Sequence, residues 1–232
     1  MNDSLRHHVQ MIYVDTFQDF ISTQFYEDKN AICWKRNLEG DFAEIVHKLT
    51  FDEPIIEIEE EDLQDLKLSK KGQIARQILL SDINLMRTLG VTPSLNLIQK
   101  YERDDENPVF PTDVYSYHID RSTVPFDTIL CTYFGASSQI LPNAEAEQKI
   151  RIPKFSTQLQ VLYDGAVEDF EFFISENFYD LHYQALPDAQ PITLGMGNLW
   201  RLAIDHPESQ VLPCIHRAPL ENDGQPRLLL IC

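Results

Sequence analysis

YSYHIDRSTVPFDTILCTYF, residues 115–134, sets two short strand-like segments on either side of a polar turn that contains Pro125. In TILCTYF (128–134), β-branched and aromatic residues dominate, the composition that suits a pleated, half-buried surface. The same texture recurs from Ser94 to the end of the chain: SLNLIQK (94–100), DVYSYHI (113–119), TQLQVLY (157–163), FEFFI (170–174), PITLG (191–195), NLWRLAI (198–204) and RLLLIC (227–232). Glu106-Asn107-Pro108, Leu141-Pro142-Asn143 and Asn222-Asp223-Gly224 fill the gaps with turn residues. Strands at this spacing, with few intervening helices and no internal repeat, predict an α+β chain that is mainly β, with a barrel or jelly-roll sandwich over residues 93–232.

Upstream, residues 1–92 read as a mainly helical extension packed on that core, so that the chain forms one compact unit. DFAEIVHKL (41–49) places Phe42, Ile45, Val46 and Leu49 at helical spacing, and residues 71–89 repeat the pattern with Ile74, Ile78, Leu85 and Leu89 before a stop at Gly90. EIEEEDLQDL (57–66) between them reads as a solvated acidic face or a helix start. A nucleotide-binding fold is disfavoured. Its glycine-rich phosphate loop is missing, and the one dense pair, Gly195 and Gly197, stands between two strands as a turn.

Charge narrows the classes of partner. Against 19 Lys and Arg stand 37 Asp and Glu, a formal net charge of −18. Binding to polyanions needs clustered cations that release counterions, so nucleic acid and anionic membranes are not expected partners. No run of about 20 apolar residues is present, and MNDSLRHHVQMIYVDTF at the start has no apolar core of signal-peptide type. Cys33, Cys131, Cys214 and Cys232 are scattered without a C-x-x-C pair, which predicts reduced thiols in a cytoplasmic protein, Cys131 and Cys214 as small core residues. Hydrophobic residues make up 43% of the chain, enough to rule out global disorder.

Chemistry enters at His118-Ile119-Asp120. On a strand, residues i and i+2 project to one face, so this imidazole and carboxylate can converge on one metal. His216, just before the closing strand, is the candidate third ligand, completing the two-histidine, one-carboxylate set that leaves positions open on Fe(II). Arg227 opens RLLLIC, and its planar fork suits the distal carboxylate of a dicarboxylate. This order of His, Asp, His and Arg is the one that Fe(II)- and 2-oxoglutarate-dependent oxygenases require. Arg217 competes with Arg227 for the cavity-facing role.

Three blocks also carry a resemblance. YHIDRSTVPFDTILCTYFGASSQIL (117–141), CIHRAPLENDGQPRLLLI (214–231) and AICWKRNL (31–38) resemble the central, C-terminal and N-terminal blocks of an uncharacterised bacterial domain family of unknown function. The resemblance implies a double-stranded β-helix like that of the 2-oxoglutarate oxygenases, with His118, Asp120 and His216 as metal ligands and Arg227 on the co-substrate. It further implies Tyr133 as a hydrogen-bond donor to the same carboxylate and Asn143 as a weaker candidate. Fe(II) and 2-oxoglutarate are then the expected cofactor and co-substrate, a small molecule the expected substrate, and a homodimer is compatible with this reading. The alternatives are a cupin-like protein whose metal serves other chemistry and a small-molecule binding module with structural histidines.

The remaining residues read more plainly. His182 and His206 are expected in loops or at the surface, His7 and His8 in a frayed terminus, and Trp34 and Trp200 in the core. The pocket is expected to be flanked by Arg121, Arg151, Lys154, Arg217 and Arg227, with the acidic excess on the outer surface.

Overall fold

A computed structural model describes residues 10–50, 53–220 and 225–232. The Asn222-Asp223-Gly224 turn and His7 and His8 lie outside the described residues. The chain is a mixture of helix and strand, about 31% and 24% respectively, so the expected mainly β composition is corrected.

Among the described residues, thirteen strands fall into two sheets. The first sheet holds β1 (Met11–Val14), β2 (Ala31–Trp34), β3 (Ile55–Glu57), β4 (Ser94–Ile98), β6 (Thr128–Phe134), β11 (Leu199–Leu202) and β13 (Arg227–Ile231), in the order β1-β2-β11-β6-β13-β4-β3. The second holds β5 (Tyr117–His118), β7 (Gln139–Ile140), β8 (Ala146–Gln148), β9 (His182–Ala185), β10 (Ile192–Thr193) and β12 (His216–Arg217), in the order β10-β7-β12-β5-β9-β8. β1 and β2 run parallel, and the other named pairs are antiparallel. Four pairings nest: β4 with β13, β5 with β12, β6 with β11 and β7 with β10.

Alternation on β6 sets the layers. Ile129, Cys131 and Tyr133 face a core built with four helices: α1 (Phe17–Ser22), α2 (Phe42–Lys48), α3 (Glu60–Asp65) and α4 (Lys70–Thr88). Leu130, on the other face, packs with Trp200, Leu202 and Leu229 against Ile140 of the second sheet and Leu194 and Cys214 beside it. Asp41 caps α2 by accepting the Glu44 N–H, and Ser69 caps α4 through Gly72. The buried stripe of α4 is Ala75, Leu79, Asp82, Ile83 and Met86, one position round from the expected stripe; Ile74 is 39% exposed. Asp82 explains the rotation, because a carboxylate on the buried face breaks the apolar pattern that a sequence reading follows. The acidic stretch forms α3 with Glu59 and Asp62 in a reciprocal capping box.

Two expected strands are helices. TQLQVLY belongs to α5 (Pro153–Leu162), which begins at Pro153, and FEFFI to α6 (Phe170–Glu176). Phe170, Phe173 and Ile174 stand at helical spacing, but a short apolar run satisfies either period. Both helices, with β8 and β9, lie in an excursion between β7 and β10 that accounts for the long separation of His118 from His216. The N-terminal portion is also less purely helical than expected: β2 pairs with β11 and β3 with β4, so early and late residues share one sheet. Gly195 and Gly197 form the expected turn between β10 and β11, both at positive φ. No helix among the described residues is long and apolar enough to cross a membrane.

Candidate metal centre

His118 and His216 are direct partners in the β5–β12 pair, which puts both imidazoles on one face of the second sheet. Their ring centroids are 4.6 Å apart. Asp120, two residues beyond His118, brings Oδ1 to 3.9 Å from His118 Nε2 and Oδ2 to 3.5 Å from His216 Nε2. One ligand atom from each of the three lies within 4.8 Å of the others, so the cluster can hold a metal ion. Metal bonds of about 2.0–2.2 Å place neighbouring ligands roughly 3 Å apart, so the three side chains draw closer together to share an ion.

The surroundings fix which atoms point inward. His118 Nδ1 lies 2.7 Å from the Ser116 carbonyl and His216 Nδ1 3.2 Å from the Cys214 carbonyl. Each ring therefore donates its Nδ1–H to its own strand two residues back and offers a bare Nε2 to the centre, the arrangement a metal-bound histidine needs. Burial, together with His216, pushes the His118 imidazole down to about 4, so it is a neutral donor at pH 7. Burial alone raises the Asp120 carboxyl, but His216, the Thr128 hydroxyl and His118 outweigh it and hold it below its ordinary value. Thr128, at the start of β6, donates its hydroxyl to Asp120 Oδ2. Arg121 pins the next turn by donating to Asp180 at 2.5 Å and to Asp205 at 2.6 Å.

Arg227 lies on the face of β13 that looks toward the second sheet, at 5% exposure. Its Nη2 donates to Thr132 Oγ1 at 3.0 Å and Ser138 Oγ at 2.8 Å, and its Nη1 to the Tyr101 hydroxyl at 3.1 Å. Nε has no partner, and Arg227 makes no ion pair among the described residues. A cavity of about 20 Å³, room for roughly one water-sized group, adjoins it. Burial pulls the guanidinium below its ordinary value.

Four expectations need correction. Tyr133 faces the helices, not the centre: its hydroxyl donates to Asp82 Oδ2 at 2.5 Å, and Arg36 Nη1 donates to both oxygens of the same carboxylate at 2.8 Å. Arg217, adjacent to His216, projects to the opposite face, where it donates to Gln139 Oε1 and covers the Tyr117 ring. Asn143 is used up in a clamp: Nδ2 donates to the Pro213 carbonyl and Oδ1 accepts from Asn30, which fixes the segment leading into β12. His182 is not a surface residue. It is 3% exposed and sits opposite His118 in the β5–β9 pair, rings 5.8 Å apart.

His206 occupies a loop, bonded to the Thr123 carbonyl and the Glu208 N–H. Trp200 is buried and Trp34 partly so, and the four cysteines are free, three of them buried. Residues missed from the sequence are Thr128, Thr132, Ser138, Tyr101 and His182. Each reaches its partner through sheet pairing or burial, for which a sequence carries no local signal.

No protein-family model matches the chain, and no curated protein or solved structure does.

Proposed function

We propose that the chain is an Fe(II)- and 2-oxoglutarate-dependent oxygenase on a double-stranded β-helix, acting on a small molecule or a side chain. The observation that carries this reading is the His118–Asp120–His216 cluster with both Nε2 atoms bare on the inward face. The nested pairings support the fold part of the reading. With β1–β3 and the β8–β9 excursion set aside, the eight remaining strands pair first with eighth, second with seventh, third with sixth and fourth with fifth. A hairpin rolled on itself into two sheets has that pairing, which is the winding of a jelly roll.

Fe(II) and 2-oxoglutarate, when bound, supply dioxygen activation coupled to decarboxylation of the 2-oxo acid, which oxidises a substrate C–H bond. The chain's own residues do the positioning. Ser116 and Cys214 hold the two imidazoles in the donor tautomer, and Thr128 aims the Asp120 carboxylate. Arg227 supplies the buried cation for the distal carboxylate, its plane held by Tyr101, Thr132 and Ser138. An unpaired buried charge is costly, and a bound carboxylate removes that cost. Asp120, at 37% side-chain exposure, leaves the centre reachable from solvent.

One observation favours a second reading, a cupin-like metal site without 2-oxoglutarate. The Nη groups of Arg227 already have three hydroxyl partners, leaving Nε–H and one Nη1–H as its unused donors. Anaerobic addition of Fe(II) and 2-oxoglutarate separates the two. The oxygenase reading expects a weak visible charge-transfer band, kept in Arg217→Ala and lost in Arg227→Met. Iron bound without a band in the wild type favours the second reading, and no iron retained removes both.

A further inference from the structure

His182 extends the row of imidazoles. β12, β5 and β9 are neighbours, and His216, His118 and His182 occupy matched positions across them. The first two serve the metal cluster, and His182 lies outside it. It is nevertheless buried, with an Nδ1 that finds no hydrogen-bond partner. Native interiors rarely leave such an atom unmet, because desolvating it without a partner is costly.

A cation stands close by. Lys149 is partly buried and donates from Nζ to Ser116 Oγ at 2.8 Å, two residues from His118 in the chain. The same Nζ lies 4.6 Å from the centroid of the Phe110 ring, and that ring is 6.4 Å from the His182 ring. Among the described residues Lys149 makes no ion pair. The acidic groups whose charge reaches this corner, Asp104 and Asp113, are bonded elsewhere. Asp113 accepts the N–H groups of Asp104, Tyr115 and Ser116, and Asp104 accepts from Thr112 and Asn107. An ammonium without a direct ion pair and an imidazole whose Nδ1 has no partner thus flank the strand that carries His118.

We propose that Lys149 and His182 form a carboxylate-binding subsite beside the metal centre, so that the substrate of the proposed reaction is an acid. Lys149 Nζ takes one carboxylate oxygen in a charge-assisted bond, and the Nδ1–H tautomer of His182 donates to the other. Calling the occupant a substrate rests on the oxygenase reading, whereas the subsite itself needs no metal. Burial pushes the Lys149 ammonium down to about 8, which leaves it mostly charged at pH 7.

Titration of the metal-free chain with acetate tests this, followed by NMR of the His182 ring signals, assigned by their loss in His182→Gln. The expected result is a saturable shift with acetate, none with acetamide, and a nuclear Overhauser contact from the acetate methyl group to the His182 ring. Lys149→Met weakens the apparent affinity by about tenfold or more, Lys149→Arg largely restores it, and Arg227→Met leaves it unchanged. The wild-type comparison of acetate with acetamide stands even if Lys149→Met does not fold. No acetate-dependent shift, an equal shift in a folded Lys149→Met, or a response abolished by Arg227→Met overturns the proposal. Because the titration contains no metal, failure of the metal centre shows in metal binding and failure of the subsite shows here.

Discussion

His118 and His216 stand directly opposite each other on β5 and β12, rings 4.6 Å apart, each tied through Nδ1 to a carbonyl of its own strand. The tie matters as much as the proximity. A histidine free to rotate loses entropy when it binds a metal, whereas these two are held with Nε2 exposed to the shared space.

Thr128 is the next test of that preorganisation. Its hydroxyl donates to Asp120 Oδ2, so Thr128→Val removes the bond and keeps the shape. Loss of such an orienting partner costs about 10–100-fold in metal affinity. A competitive chelator titration should find a drop of this size in a protein that still folds cooperatively. Unaltered affinity would mean that Thr128 does not position the ligand.

Tyr133 and Asp82 should behave as stability residues. The Arg36–Asp82 pair is buried on both sides, at 8% and 4% side-chain exposure. Removing one member strands the other charge, so Asp82→Ala should cost about 3–5 kcal/mol in urea denaturation. Tyr133→Phe loses one hydrogen bond into the same carboxylate and should cost about 1–3 kcal/mol. It should leave metal loading unchanged in the folded protein, and a selective loss of co-substrate binding would return Tyr133 to the site.

Glu44 supplies a pH dependence. Its carboxylate accepts the Ser69 hydroxyl at 2.6 Å, the Ser69 N–H at 2.9 Å and Lys48 at 2.9 Å, joining α2 to the start of α4. Gly72 makes room for it, since a Cβ there would meet Glu44 Oε2 at 2.3 Å. The Ser69 bonds, with Lys48, pull the carboxyl from its ordinary 4.5 down to about 2. A folded value below the unfolded one means stability present above about pH 4.5 and lost as pH falls through about 2. Urea midpoints of wild type and Glu44→Gln should therefore differ at pH 7 and converge near pH 2; a constant gap contradicts the assignment.

How much of this was legible in the sequence follows from what each feature depends on. The one-face geometry of His118 and Asp120 needs strand alternation alone, and the existence of α2 and α4 needs 3.6-residue periodicity alone; both are local, whereas the stripe that α4 buries is set by Asp82 and its partners. The choice between Arg227 and Arg217 depends on strand parity, which the β5–β12 pairing fixes for Arg217 and the β13 pairings fix for Arg227. Tyr133 failed for the same reason, one residue away from Thr132, which does reach Arg227. His182 was unreadable because its partner His118 is fixed by cross-strand register. TQLQVLY alternates polar and apolar residues like a strand, and FEFFI is too short to tell the two periods apart, so neither α5 nor α6 is marked locally as a helix.

Metal stoichiometry tests the central claim most directly. Equilibrium dialysis of the purified chain against Co(II) or Fe(II) under anaerobic conditions, followed by metal analysis, should find one ion per chain. His118→Ala and His216→Ala should each lose it, while His206→Ala, a change at a loop histidine, should keep it. Equal metal content in all four proteins, or none in the wild type, would contradict a metal centre at His118, Asp120 and His216.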